Sequence, residues 1–324
     1  QLLQQAPLHI EPRSKAERGY ILCGALSPNP VKAIRPDIGR DQPAGEAWHA
    51  MVQAALVQLS ANVPGFLEQA ENIEYLHQLR IALRRLRAGA QLAKSLGQEI
   101  PAWEQPLRAL THALNPARDW DVFHQETLPG ILPILATSAE NTAVSETALA
   151  LLHNAAAQAR QRAQALLLAP AFTQLMLDIG RSLLTAPVNE HMHTTGTWAE
   201  VILEKRWQKL RKCCRGFARL DPAERHFARI AAKKMRYCVE AFAPLYGKRV
   251  NRFLTALAAL QDELGIENDR RIALQLLYTL PHKSAALGFE FGRLSGVLAS
   301  EAARHPRLSP ALWHRLARSR LFWH

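Results

Sequence analysis

The chain has 324 residues, of which 48% are hydrophobic, and a formal net charge of +12. That composition excludes a disordered chain, since there is enough apolar material for a sizeable core. The positive excess points to an anionic partner: nucleic acid, an acidic membrane surface or a polyphosphate. The four cysteines, Cys23, Cys213, Cys214 and Cys238, form no C-x-x-C pair, which argues against a disulfide framework or a zinc knuckle and for a reducing cytoplasm.

Residues 1–43 come first and differ from the rest. They hold Pro7, Pro12, Pro28, Pro30, Pro36 and Pro43 with little periodicity, and are expected to form a tail or connector from an upstream domain. From residue 44 onward apolar residues recur at three- and four-residue spacing. Trp48, Val52, Ala55 and Leu59 are one set, and Leu76, Leu79, Leu83 and Leu86 the next. Period-2 alternation is nearly absent, so the fold class is all-α. Pro64-Gly65, Gly97, Pro129-Gly130, Pro187, Pro222, Gly247 and Gly265 are expected to mark helix ends. The polar stretch 185–197 reads as a linker between a first helical bundle (44–184) and a second (198–324). The most apolar run, "ALLLAPAFTQLMLDIG", is broken by Pro170 and carries Asp178, so no membrane span and no membrane partner is expected. No signal peptide is visible.

Two motifs recur. Residues 77–87, HQLRIALRRLR, match 226–236, HFARIAAKKMR. Residues from 107, LRALTHALNPARD, match those from 257, LAALQDELGIEND. The order is kept and the offset is nearly the same. The chain therefore reads as two pseudo-symmetric copies of one helical bundle. On a helical wheel with His77 at zero, Arg80, Arg84 and Arg87 fall at about 280° to 340°, beside an apolar stripe of Leu79, Leu83, Leu86 and Ala90. His226, Arg229, Lys233 and Arg236 repeat the pattern, with Tyr237 beside them. Arg85 and Lys234 belong to the same motifs but point off the stripe. No acid lies between Tyr75 and Gln98, or between Arg225 and Val239. Like charges one turn apart destabilise a helix, so the two stripes are expected to face a shared basic cleft that takes a polyanion. A third basic stretch, "KRWQKLRKCCRGFAR", adds Lys205, Lys209 and Lys212 as candidate contacts.

The motifs HQLRIALRRLR, NPARDWDVF, HFARIAAKKMRYCVE and LQDELGIEND resemble the CHAD family, the conserved histidine α-helical domain. The resemblance implies two pseudo-symmetric helical bundles around a basic central cavity that binds inorganic polyphosphate. It implies ligand contacts at His77, Arg80, Arg84, Arg87, His226, Arg229, Lys233 and Arg236. The segment SKAERGYIL, 14–22, resembles the closing part of CYTH-type triphosphatase domains. That family's E-x-E-x-K strand motif is absent, so any such catalytic half is expected upstream of Gln1. The expected function is non-catalytic, cytoplasmic polyphosphate binding, with polyphosphate granules as a location and an upstream triphosphatase as the domain assisted.

Two alternatives stand beside it. A nucleic-acid binder fits the charge, but the stripes lack stacking aromatics and no helix-turn-helix or RNA-module motif is present. An accessory half of an inorganic triphosphatase would use the basic cleft for electrostatic help. No cofactor or metal is expected: His191, His193 and Glu190 are the one close histidine cluster, without further ligands. Asp119 and Asp269 read best as helix-start residues that cap orphan N–H groups, or as partners of a buried arginine.

Overall fold

The computed structural model describes residue 6 and residues 8–136, 144–185, 193–281, 284–304 and 308–324. The architecture is all-α. The helices are α1 (Lys15–Leu22), α2 (Ala44–Glu68), α3 (Ile73–Ala93), α4 (Glu104–Ala113), α5 (Asn115–Val122), α6 (Leu128–Ala136), α7 (Glu146–Leu168), α8 (Pro170–Thr185), α9 (Thr195–Cys213), α10 (Pro222–Phe242), α11 (Val250–Tyr278), α12 (Ala285–Arg304) and α13 (Pro310–Ala317). Among the described residues the one β-type pairing is an isolated bridge between Pro43 and Thr194.

The apolar spacing of α2 and α3 places Trp48, Val52, Ala55 and Leu59 against Leu76, Leu79, Leu83 and Leu86, all fully or almost fully buried. Two glycines let the helices come close. A methyl at Gly65 would run into the Tyr75 ring, and one at Gly89 would lie 2.8 Å from a Val52 methyl. Trp48 Nε1 donates to the Gly89 carbonyl at 2.7 Å, which satisfies the indole inside this contact. The second motif helix, α10, also packs on the helix before it, α9. Contacts of α3 with α10, and of α5 with α11, join the two regions.

Several expected helix ends lie inside helices. Pro64-Gly65 falls within α2, Pro129-Gly130 within α6 and Gly265 within α11. Each has a local reason. Pro129 is near the start of α6, but a π-helical turn, Phe123–Thr127, leads straight into it from α5. Gly65 and Gly265 are small because a neighbour needs the space, not because the chain turns there. The linker is shorter than expected, since Thr194 caps α9 and Thr195–Thr197 are helical. His191 and Glu190 lie outside the described residues.

Residues 8–43 are not a free tail. The segment runs as a strap over the helices, and its backbone is paired by side chains because it has little secondary structure of its own. Buried Asn62 receives the Val31 N–H and donates to the Val31 carbonyl, both at 2.9 Å. Tyr75 Oη donates to the Pro28 carbonyl, and Thr173 Oγ1 to that of Leu8. At its far end Arg40 pairs with Glu200 at 2.6 Å and lies over the Tyr246 ring. The N–H groups of Thr195 and Gly196 donate to the Gln42 and Arg40 carbonyls. The strap thus touches α2, α3, α8 and α9.

By length and hydropathy α2 could cross a membrane, contrary to the sequence expectation, and α7 with α8 would pass the same test as a pair bent by 55°. The helix is instead spent on the core, with 15 of its residues buried, among them polar Gln58 and Asn62.

Arg85 belongs to the strap and not to the basic stripe. Its guanidinium donates to Gln58 Oε1 at 2.7 Å and to the Ile34 carbonyl at 2.5 Å. Arg85→Met is expected to cost about 1–3 kcal/mol by leaving those two acceptors short of donors. Urea unfolding would register that loss, while polyanion affinity should stay within twofold of the parent.

Candidate functional site: a basic cluster between α3 and α10

Both motif helices begin with a side-chain cap. Asn72 accepts the Glu74 N–H at 3.2 Å to start α3. Asp221 and Glu224 form a reciprocal capping box, with Pro222 between them, to start α10. Those starts set the rotation of each helix, and the apolar stripe then fixes which face meets its neighbours. The basic residues beside that stripe come together where α3 meets α10.

Arg84 from α3 lies over the Tyr237 ring of α10, 5.7 Å from its centroid. Arg80 donates to Asn115 Oδ1 at 2.6 Å. Arg229 donates to the Leu264 carbonyl at 3.1 Å and pairs with Asp269 at 3.4 Å. Asn115 and Gly265 are equivalent in the two sequence copies, and the difference has a physical reading. In the first, an amide side chain receives the arginine. In the second, the missing side chain lets Arg229 lie on the backbone, where a methyl would sit 2.8 Å from its Nη1.

The expected lack of counter-charge holds within 75–98 and 225–239 but not beyond them: Glu240, one turn after Arg236 on the same helix, pairs with it at 2.6 Å. Carboxylates arrive from other elements. Asp119 on α5 faces Arg80, Arg118 and Lys233, and Asp269 on α11 faces Arg229 and Lys233. Both aspartates lie inside their helices and cap nothing, so the helix-start reading is replaced by the pairing one. Five basic side chains, Arg80, Arg84, Arg118, Arg229 and Lys233, thus surround two acids. Among the described residues Arg84 and Lys233 form no ion pair, and the buried Arg84 Nε has no hydrogen-bond partner.

The crowding shows in the titration of the group. Burial, with Arg84 and Arg118 nearby, pushes Arg80 down to about 10. Burial, with Arg229, Arg84 and Arg80 nearby, pushes Lys233 down to about 8, although Asp269 pulls the other way. His77 is half-buried and lowered, first by burial and then by Arg118. Burial raises Asp119, and the surrounding cations only partly offset it.

Other candidates stand apart. Arg87 reaches Glu104 at 4.0 Å. Arg236 is held by Glu240 at 2.6 Å and by Gln261 at 3.2 Å. Lys234 and His226 are exposed on α10. Lys205, Lys209 and Lys212 are exposed on α9, and none of them is hydrogen-bonded or ion-paired to a stripe residue. Arg118 is the main residue the sequence reading missed. It sits in NPARDWDVF next to Asp119, so its place in a recurring motif was the available signal.

The sequence matches the CHAD domain family over residues 50–278. Among solved structures, the CHAD domain from the plant Ricinus communis is similar with a TM-score of 0.78 and 29% identity, covering 91% of this chain and 98% of that one. PptA from Streptomyces chartreusis shares the fold at a TM-score of 0.51 and 16% identity, with 86% of this chain and all of the other covered (100%). A search of curated proteins finds no match. With the family matched across most of its length, the chain belongs to the CHAD domain family.

Proposed function

We propose that this CHAD domain binds inorganic polyphosphate at the basic cluster and does so without catalysis. One observation supports the reading: five basic side chains crowd two carboxylates at a half-buried helix contact, leaving an excess of positive charge among the described residues. A chain of phosphates supplies the missing charge at closely repeated intervals. It has no bases to accommodate, and the Tyr237 ring is already covered by Arg84. Nucleic acid remains the competing ligand, because overall charge attracts both. A cytoplasmic location, polyphosphate granules as the setting and an upstream triphosphatase as the domain served belong to the same proposal.

Competition binding would test it, using long-chain polyphosphate against single-stranded DNA and RNA at matched charge and salt. Polyphosphate is expected to bind at least tenfold more tightly, with affinity falling steeply as salt rises. Equal affinity for all three polymers would make the surface a general anion attractor.

A further inference from the structure

Lys233 and His77 enter the basic cluster from different helices, and both are half-buried. Lys233 meets Arg229 on its own helix, Arg80 and Arg84 from α3, Asp269 from α11 and Asp119 from α5. From α9, which also packs on α10, Arg206 lies against Cys238 instead. His77 meets Glu74, Arg80 and Arg84 on its own helix and Arg118 from α5. Each group therefore holds its proton against more like charge than opposite charge, in a place where water is partly excluded.

We propose that filling the cluster with a polyanion drives protons onto Lys233 and His77, so that binding is proton-coupled and weakens in alkaline solution. This rests on the polyphosphate reading. Phosphate oxygens placed among these cations convert net repulsion at Lys233 and His77 into attraction. The coupling is reciprocal: whatever makes the anion favour the proton makes the proton favour the anion by the same factor. In the free protein the Lys233 amine titrates at about 8. Above that pH the free lysine is neutral and the bound one charged. Each bound chain then takes up close to one proton, and affinity falls toward tenfold per pH unit. His77, lowered by burial and Arg118, contributes nearer neutrality.

The measurement is calorimetric titration with long-chain polyphosphate in two buffers of different ionisation enthalpy. At pH 8.5 the unmodified protein is expected to take up about one-half to one proton per molecule bound. Lys233→Arg keeps its charge at every pH tested. Whatever its affinity at pH 7, it should lose the decline above pH 8 and most of the uptake. His77→Gln should remove the smaller uptake at pH 7. Binding with no buffer dependence, or full uptake by Lys233→Arg, would overturn the proposal while leaving polyphosphate binding intact. If no binding occurs at pH 7, the functional reading fails and this inference with it.

Discussion

Replacing Arg84 and Lys233 together with glutamine is expected to lower polyphosphate affinity at least tenfold, about 1.4 kcal/mol, and to leave the melting temperature unchanged or higher. Neither residue forms an ion pair among the described residues. Each sits among like charges, so removing them strands no acid and relieves repulsion. Arg80 and Arg229 behave differently. Viewed in the sequence alone, all four stripe cations are equivalent. In the fold Arg80 donates to the part-buried Asn115 and Arg229 to the Leu264 carbonyl and the exposed Asp269, and their loss would remove those hydrogen bonds. A variant of those two should therefore lose stability as well as affinity. The matched control is Arg315→Gln with Arg318→Gln, both exposed near the C-terminus. Fluorescence anisotropy and thermal melts on the three variants would separate the cases. If the Arg84/Lys233 variant and the control lose affinity equally, only overall charge matters.

The second large effect concerns a pair the sequence reading did not single out. Asp121 is fully buried and receives two hydrogen bonds from Arg160, at 2.8 and 3.1 Å. Asp121→Ala would leave the Arg160 guanidinium, which is itself only 13% exposed, without its main partner. A broken buried pair costs about 3–5 kcal/mol. In a protein of this size that is a melting-temperature loss of about 10 °C. Changing both partners, Asp121→Leu with Arg160→Met, should recover most of it, because no buried charge is then left alone. A melting temperature for Asp121→Ala within 1–2 °C of the parent, roughly the range of a surface change, would show that the pair contributes little.

The two basic stripes were legible because helical periodicity fixes which residues share a face, and a repeat doubles that signal. Their meeting at Arg84 and Tyr237 was foreseen only as a shared cleft. Residues that act across the chain were harder to read. Arg85 and Arg84 are neighbours in one motif, yet a turn of 100° about the helix sends one to the strap and the other to the cluster. Asp119 and Asp269 looked like caps because aspartate is favoured at helix starts, and for Asp269 because Gly265 was expected to end a helix. The chain runs helical through Gly265, and the aspartates point at arginines instead. The proline-rich first 43 residues carried no periodicity, and their order comes from partners such as Asn62, Arg85 and Thr195 far along the chain. Lys205, Lys209 and Lys212 were drawn into the candidate set by charge density, and the fold places them exposed on α9.

The strap also sets a timetable. Arg40 and Gln42 are held by Gly196, Thr195 and Glu200, residues made long after them. At ordinary elongation rates of about 5–20 residues per second, roughly 10–30 s pass before those partners are synthesised. During that interval Asn62 and Arg85 can already fix the middle of the strap, but its end near Pro43 cannot close. The Pro43–Thr194 bridge therefore becomes available only once the chain has grown as far as α9, well after the middle of the strap can be fixed, while contacts such as that of Trp323 with Glu204 wait longer still.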